Sequence, residues 1–319
     1  GVGLIANIKG ISSHSIVEKS FEALKNLEHR GASGADPETG DGAGILIQIP
    51  HEFYKTSTSS INFDLNIGEY GTGIVFMKNN KKDIEKCKKL IAECAQTHYL
   101  KIIGWRELPI NPKEIGSLAR EVMPNIQQLF VGITSQKQKD NIEQRMYALR
   151  KSCEKKIANE LNSKAVEETY ICSLSSTKIV YKGLLTAEQL PKFYEDLNDN
   201  SVKSTFGLVH SRFSTNTLGE WKLAHPYRYV AHNGEINTVK GNRNWMKSRE
   251  SQLKCRNISE NIEEIFPICN SNDSDTASFD NVLELLTMGG RTLEHSMAMM
   301  IPEAWEGHES MDQKLKDFY

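Results

Sequence analysis

Apolar positions along this chain fall into short blocks, separated by longer Lys/Glu-rich stretches with helical spacing. Val2, Leu4 and Ile5 mark residues 1–7 as an apolar strand. Ser12 to His14 then offer capping groups for a helix running through His29, with Val17, Phe21, Leu24 and Leu27 on one stripe. A glycine-rich turn over 31–44 leads into a buried strand at 45–49, which Pro50 ends. The pattern next predicts a strand at 73–77 and a helix at 82–99 with Ile84, Cys87, Leu90, Ile91 and Cys94 inward. Further on it predicts a strand at 129–134, a long helix at 140–161, and strand-like runs at 169–174 and 178–184. From Phe206 the character changes: a buried strand at 206–210 is followed by dense polar signals among aromatics, then helices at 238–254 and 276–288. Strand runs precede and interrupt helix pairs without a regular β-α-β alternation, which favours α+β layers over a doubly wound parallel sheet.

Composition narrows the class. The 319 residues carry 39 Lys+Arg against 41 Asp+Glu, a formal charge of −2, and the pI is near 6.6. A balance this neutral argues against wrapping nucleic acid, which relies on a basic surface. A hydrophobic fraction of 39% and mean hydropathy of −0.47 are those of a folded chain, and no apolar run approaches a membrane span or a signal-peptide core. The expectation is a soluble protein of the cytoplasm, or of a plastid in a photosynthetic eukaryote. Cys87, Cys94, Cys153, Cys172, Cys255 and Cys269 include no C-x-x-C pair, so they read as buried structural thiols rather than a zinc or redox site.

Four stretches concentrate groups with chemical uses: Leu27-Glu-His-Arg30-Gly31 with Gly40-Asp-Gly-Ala-Gly44; His210 to Thr217; Ala231-His-Asn233-Gly234 continuing to Gly241-Asn-Arg-Asn-Trp245; and Ser274 to Asn281. Each has an ordinary explanation alone. Asn233-Gly234 equally fits a type I′ turn, Ser274-Asp275 fits a helix cap, and Gly40 to Gly44 fits a flexible turn, since no P-loop Lys-Ser/Thr follows. Gly1-x-Gly3-x-x-Ala6 matches a loose dinucleotide fingerprint that no strand precedes. Together the stretches are more specific. An Arg and an Asp can clamp the carboxylate and amino group of a free α-amino acid, and an Asn amide beside a glycine N–H supplies two donors suited to an oxyanion. A nucleophile to attack an amide held there is missing.

These stretches, in this order, resemble the glutamine amidotransferase domain of glutamate synthase, a class II (N-terminal-nucleophile) amidotransferase. The likeness begins at Gly1-Val2-Gly3 and extends to Ile301-Pro-Glu-Ala-Trp305. The run His232-Asn-Gly-Glu-Ile-Asn-Thr with Gly241-Asn-Arg-Asn-Trp-Met separates it from relatives that aminate sugars or phosphoribosyl pyrophosphate. The resemblance implies a four-layer αββα sandwich with two antiparallel sheets, residues 1–319 forming one amidotransferase domain truncated at its C-terminus.

It also implies chemistry. The family attacks glutamine with the thiol of a mature N-terminal cysteine, using that residue's own α-amine, with a reference pKa of about 7.7–8.0, as the base. The family reads Cys-Gly-Val-Gly where this chain starts at Gly1, so the cysteine is expected immediately before Gly1, and the chain without it is expected to be inactive. By the same resemblance Arg30 and Gly31 help position the amine; Asn233 (side chain) and Gly234 (backbone N–H) form the oxyanion hole. Arg212 binds the α-carboxylate with Thr215 in support, and Asp275 accepts the α-ammonium. His225 either borders the glutamine pocket or is a surface-loop histidine. The product ammonia would pass through a tunnel to a separate synthase domain carrying FMN and an iron–sulfur cluster, there to aminate 2-oxoglutarate with electrons from ferredoxin or an NAD(P)H-linked subunit. No cofactor is expected in this domain, nor a nucleic-acid or membrane partner. The alternatives are a non-catalytic glutamine-binding homologue, or an amidotransferase serving another acceptor.

Overall fold

The computed structural model describes residues 1–27, 36, 38–59, 63–212, 219–234, 236–255 and 257–319. Among the described residues, eight strands form two antiparallel sheets of four. The first sheet contains β1 (Val2–Ala6), β2 (Ala43–Gln48), β7 (Lys178–Gly183) and β8 (Phe206–Ser211), in the order β1-β8-β2-β7. The second contains β3 (Tyr70–Met77), β4 (Leu100–Glu107), β5 (Asn125–Ile133) and the short β6 (Tyr170–Ile171), in the order β4-β5-β3-β6. Both sheets with their helices give the α+β architecture that the resemblance implies, consistent with the N-terminal-nucleophile sandwich.

Period-2 alternation decides what each face meets. Ile45, Ile47, Ile179, Tyr181 and Val209 from the first sheet share a core with Tyr70, Ile74, Phe76, Ile126 and Phe130 from the second. The alternate residues of the second sheet, Val75, Met77, Leu129 and Val131, pack under two helices, Lys81–Thr97 and Ile142–Glu160. The inward stripe read from the first of those helices holds: Cys87, Leu90, Ile91 and Cys94 are buried and Ile84 packs beside them. The helix Ile142–Glu160 has a second apolar side, where Tyr147 and Ala148 meet Ile258, Ile265, Ile268, Leu285 and Met288. Through that contact the C-terminal part of the chain, with its helix Asp275–Met288, is fixed to the body.

Several local expectations are corrected. The first helix is His14–Asn26, and its N-cap, Ser13, makes no side-chain capping bond. The strand expected over 169–174 is regular only at Tyr170–Ile171. The Cys172 N–H still donates to the Ile74 carbonyl, but Ser175 rather than residue 174 then pairs with Thr72. The extra residue breaks the ladder where the Ser173 carbonyl oxygen would lie 1.6 Å from a Cβ on Gly73. Four of the six cysteines are buried as expected, while Cys255 and Cys269 are half-buried.

Candidate active site

The site lies at one end of the first sheet, on the face turned away from the shared core. Val209 and Tyr181 point into that core, so their neighbours His210 and Lys182 point the other way. Gly44 of β2 lies between these two, paired with Lys182 on one side and His210 on the other. The loop bearing His225 crosses directly over it: a Cβ at position 44 would come within 2.5 Å of the His225 carbonyl oxygen. Gly40 is packed as tightly, 2.3 Å from the Leu185 carbonyl on the same measure. The glycines over 40–44 therefore serve close backbone approach rather than the flexible turn read from the sequence.

Close contact among three histidines lines the floor. The rings of His210 and His225 lie 4.4 Å apart, and that of His232 lies 5.9 Å from His225. His225 is buried and packs edge-on against Tyr227, so it is not a surface-loop histidine. Burial pushes its pKa far down, with His210 and Lys182 adding to the effect. Burial also takes His210 to about 4. Lys182, buried and held by the Lys222 carbonyl at 2.8 Å under the rings of Tyr170 and Tyr227, is lowered to about 8 by the same desolvation. The imidazoles of His210 and His225 are thus held neutral near pH 7.

The chain start reaches this floor through sheet pairing. Val2 is registered with His210, the Gly1 amine donates to the Ser211 carbonyl at 2.5 Å, and the Ser211 N–H donates to the Gly1 carbonyl at 2.8 Å. Arg212 follows at the end of β8; its N–H donates to the Gly42 carbonyl and its guanidinium reaches the Asp41 carbonyl at 3.4 Å. Asn233 and Gly234 stand exposed on the loop after Tyr227, near His210, whose Nε2 lies 3.0 Å from the His232 carbonyl oxygen.

Asp275 opens the helix Asp275–Met288 but does not cap it; Ser274 does, accepting from the Ala277 N–H. The Asp275 carboxylate turns back to the loop instead. Its Oδ2 accepts from the Ile236 N–H at 3.0 Å and its Oδ1 from the Thr276 N–H at 2.6 Å. Deeper along the helix, Asp280 accepts from the N–H groups of Tyr229 and Val230, and Arg228 is bound by Asp280, Asn281 and Glu284. Breaking such a buried pair typically costs about 3–5 kcal/mol, so the loop is held firmly behind the exposed Asn233-Gly234 tip.

Of the residues singled out in the sequence, Arg212, His225, Asn233, Gly234 and Asp275 come together here. Arg30, Gly31 and Thr215 lie outside the described residues. The sequence reading gave no role to His210, His232, Tyr227, Arg228 or Thr276. His232 carried one readable signal, its position two residues before Gly234, where a side chain can bond back to the main chain. Among the described residues there is no group of three or more His, Cys, Asp or Glu side chains able to hold a metal, and no helix long and apolar enough to cross a membrane.

Residues 1–319 match the model of the family described as class II glutamine amidotransferases. The chain is 42% identical over 323 residues to the glutamate synthase [NADPH] large chain of Bacillus subtilis, aligning all of this chain with 21% of that protein. It is 41% identical to the ferredoxin-dependent glutamate synthase 1, chloroplastic/mitochondrial, of Arabidopsis thaliana (all of this chain, 20% of that one). It is 43% identical to the glutamate synthase [NADH] of Saccharomyces cerevisiae (all of this chain, 15% of that one). The chain therefore spans about a fifth or less of the length of these relatives.

Proposed function

The chain belongs to the class II glutamine amidotransferases, and we propose that it performs the glutamine-hydrolysing half-reaction of a glutamate synthase. The observation that carries this reading is the register of β1 on β8. Val2 faces His210 and Gly1 faces Ser211, so a residue preceding Gly1 continues the ladder opposite Arg212, beside the Asn233-Gly234 loop. A cysteine there brings a thiol and its own α-amine to the mouth of the site. Arg212 then holds the substrate's α-carboxylate with a planar fork of donors, and Asp275 accepts the α-ammonium. The side-chain amide of Asn233 and the N–H of Gly234 stabilise the oxyanion formed as the thiolate adds to the γ-carboxamide. Collapse of that adduct releases ammonia and leaves a thioester, which water hydrolyses to glutamate. Arg30, Gly31 and Thr215 keep the supporting roles that the resemblance gives them, and His225 walls the pocket without charge.

Ammonia leaving the site would serve 2-oxoglutarate in a synthase domain, where FMN and an iron–sulfur cluster supply the redox chemistry. Relatives named for NADPH, ferredoxin and NADH align with this chain at similar identity, so residues 1–319 do not select the electron donor. The compartment follows the host: relatives from plants are named chloroplastic.

The test compares two chains, one beginning at Gly1 and one with a single processed cysteine before it. Only the second should release ammonia from L-glutamine. Equal turnover by the two would remove the N-terminal nucleophile, and the proposal with it.

A further inference from the structure

The N–H of Gly234, one of the two oxyanion donors in the reading above, is already spent. It donates to His232 Nδ1 at 3.0 Å. That bond fixes the tautomer, since Nδ1 must be unprotonated to accept, and leaves the ring proton on Nε2. Nε2 lies 2.7 Å from Thr276 Oγ1, so the ring donates there, and the Thr276 hydroxyl passes its own hydrogen to Asp275 Oδ1 at 3.2 Å. Asp275 Oδ2 meanwhile takes the Ile236 N–H, two residues beyond Gly234. An unbroken chain of donors and acceptors thus runs from the group assigned to the substrate's ammonium to the donor assigned to its reacting carbonyl.

We propose that His232 is a positioning residue that latches the Gly234 N–H away from the substrate, and that Thr276 and Asp275 hold the latch in place. This rests on the glutamine-hydrolysing reading. One N–H cannot give a full-strength bond to Nδ1 and to an oxyanion lying in a different direction, so turnover requires the Gly234–His232 bond to open. A ligand that engages Asp275 draws on the carboxylate that orients Thr276 and, through it, the imidazole. The two ends of glutamine are thereby read together: a molecule lacking the α-ammonium leaves the latch closed and the oxyanion hole one donor short.

Two measurements test this. The first uses the chain as it stands, labelled in histidine and observed by imidazole nitrogen NMR, with His232→Asn identifying the signal. In the free chain His232 should show a proton on Nε2 and an unprotonated, hydrogen-bonded Nδ1. Saturating L-glutamine should shift Nδ1 toward the position of an unbonded nitrogen, whereas the analogue lacking the α-amino group should not. An Nδ1 signal unmoved by bound glutamine overturns the latch. If calorimetry shows that glutamine does not bind at all, it is the parent reading that fails, and the latch with it.

The second measurement uses the chain preceded by the processed cysteine. His232→Gln keeps a donor near the place of Nε2 but offers nothing at the place of Nδ1, and should raise kcat about three- to tenfold with little change in KM. His232→Asn puts a carboxamide oxygen where Nδ1 was, so the latch bond persists, and it should turn over several-fold more slowly than His232→Gln. Asn233→Ala is the control for the parent reading and should lower kcat by about 10²–10³. A fall in both His232 variants, with Asn233→Ala behaving as stated, would make His232 a support for the loop and overturn the latch.

Discussion

At the scale of single residues, the site divides into groups that face solvent and groups that hold them. Asn233 and Gly234 are exposed, while His225 beneath them is buried. Arg212 and Asp275 stand between these extremes, each engaged with backbone yet within reach of a ligand. If they clamp the two charged ends of glutamine, binding needs no nucleophile and is measurable on the chain starting at Gly1. Each charge-assisted bond contributes about 1.5–3 kcal/mol, so Arg212→Ala or Asp275→Asn should weaken glutamine by roughly one to two decades in calorimetry. Arg212→Lys should recover only part, because an ammonium cannot present the bidentate fork. With the α-carboxylate blocked as an amide, the Arg212→Ala penalty should vanish and that of Asp275→Asn should persist. An Asp275→Asn chain that folds and keeps its affinity would reduce Asp275 to a tether for the Ile236 N–H.

At the scale of elements, Gly44 is the joint on which the site turns. It sits in mid-sheet with His210 and Lys182 on either side and the His225 backbone above. Gly44→Ala must push the His225 loop off the sheet, so it should destabilise the protein by about 1–3 kcal/mol and weaken glutamine as well. A melting temperature equal to that of the parent would show that the loop yields freely. Such tightness is invisible in the sequence, where Gly40-Asp-Gly-Ala-Gly44 looks like a flexible turn. What could be read were elements with a plain apolar signature: the stripe on Lys81–Thr97 and the apolar blocks of β2 and β3, which are buried almost throughout. β4 escaped because Lys101, Arg106 and Glu107 mark it as polar and a register shift between Ile102 and Gly104 breaks its alternation. Arg106 is buried chiefly against Asp196, ninety residues later, which meets it with two bonds of 2.6 and 2.7 Å, while Gln128 accepts a third. The residues proposed for the site were named through resemblance; the hydrogen bonds among them and their neighbours, Gly234 to His232 above all, depend on how loops cross and were not legible.

At the scale of the whole molecule, the buried histidines tie stability to pH. His98 and His210 are both lowered to about 4, chiefly by burial, and His225 lies further down. In the unfolded chain each titrates near 6.5, so between about 6.5 and 4 the unfolded state binds more protons and stability rises with pH. Their contribution is complete above about pH 6.5 and fades as the pH falls toward 4, by up to about 3 kcal/mol each for His98 and His210. Thermal melts at pH 7 and pH 4.5 should differ accordingly, and a flat profile across that window would contradict the burial of all three. The two-sided helix Ile142–Glu160 bears on how the molecule is made. One side is covered by strands and a helix already synthesised when it emerges, but Tyr147 and Ala148 wait for Ile265, Ile268 and Leu285, well over a hundred residues later. At about 5–20 residues per second the ribosome leaves that apolar side bare for on the order of 10 s. The nascent chain therefore passes through a sticky stage in every round of synthesis, and chaperone demand should peak there rather than at release.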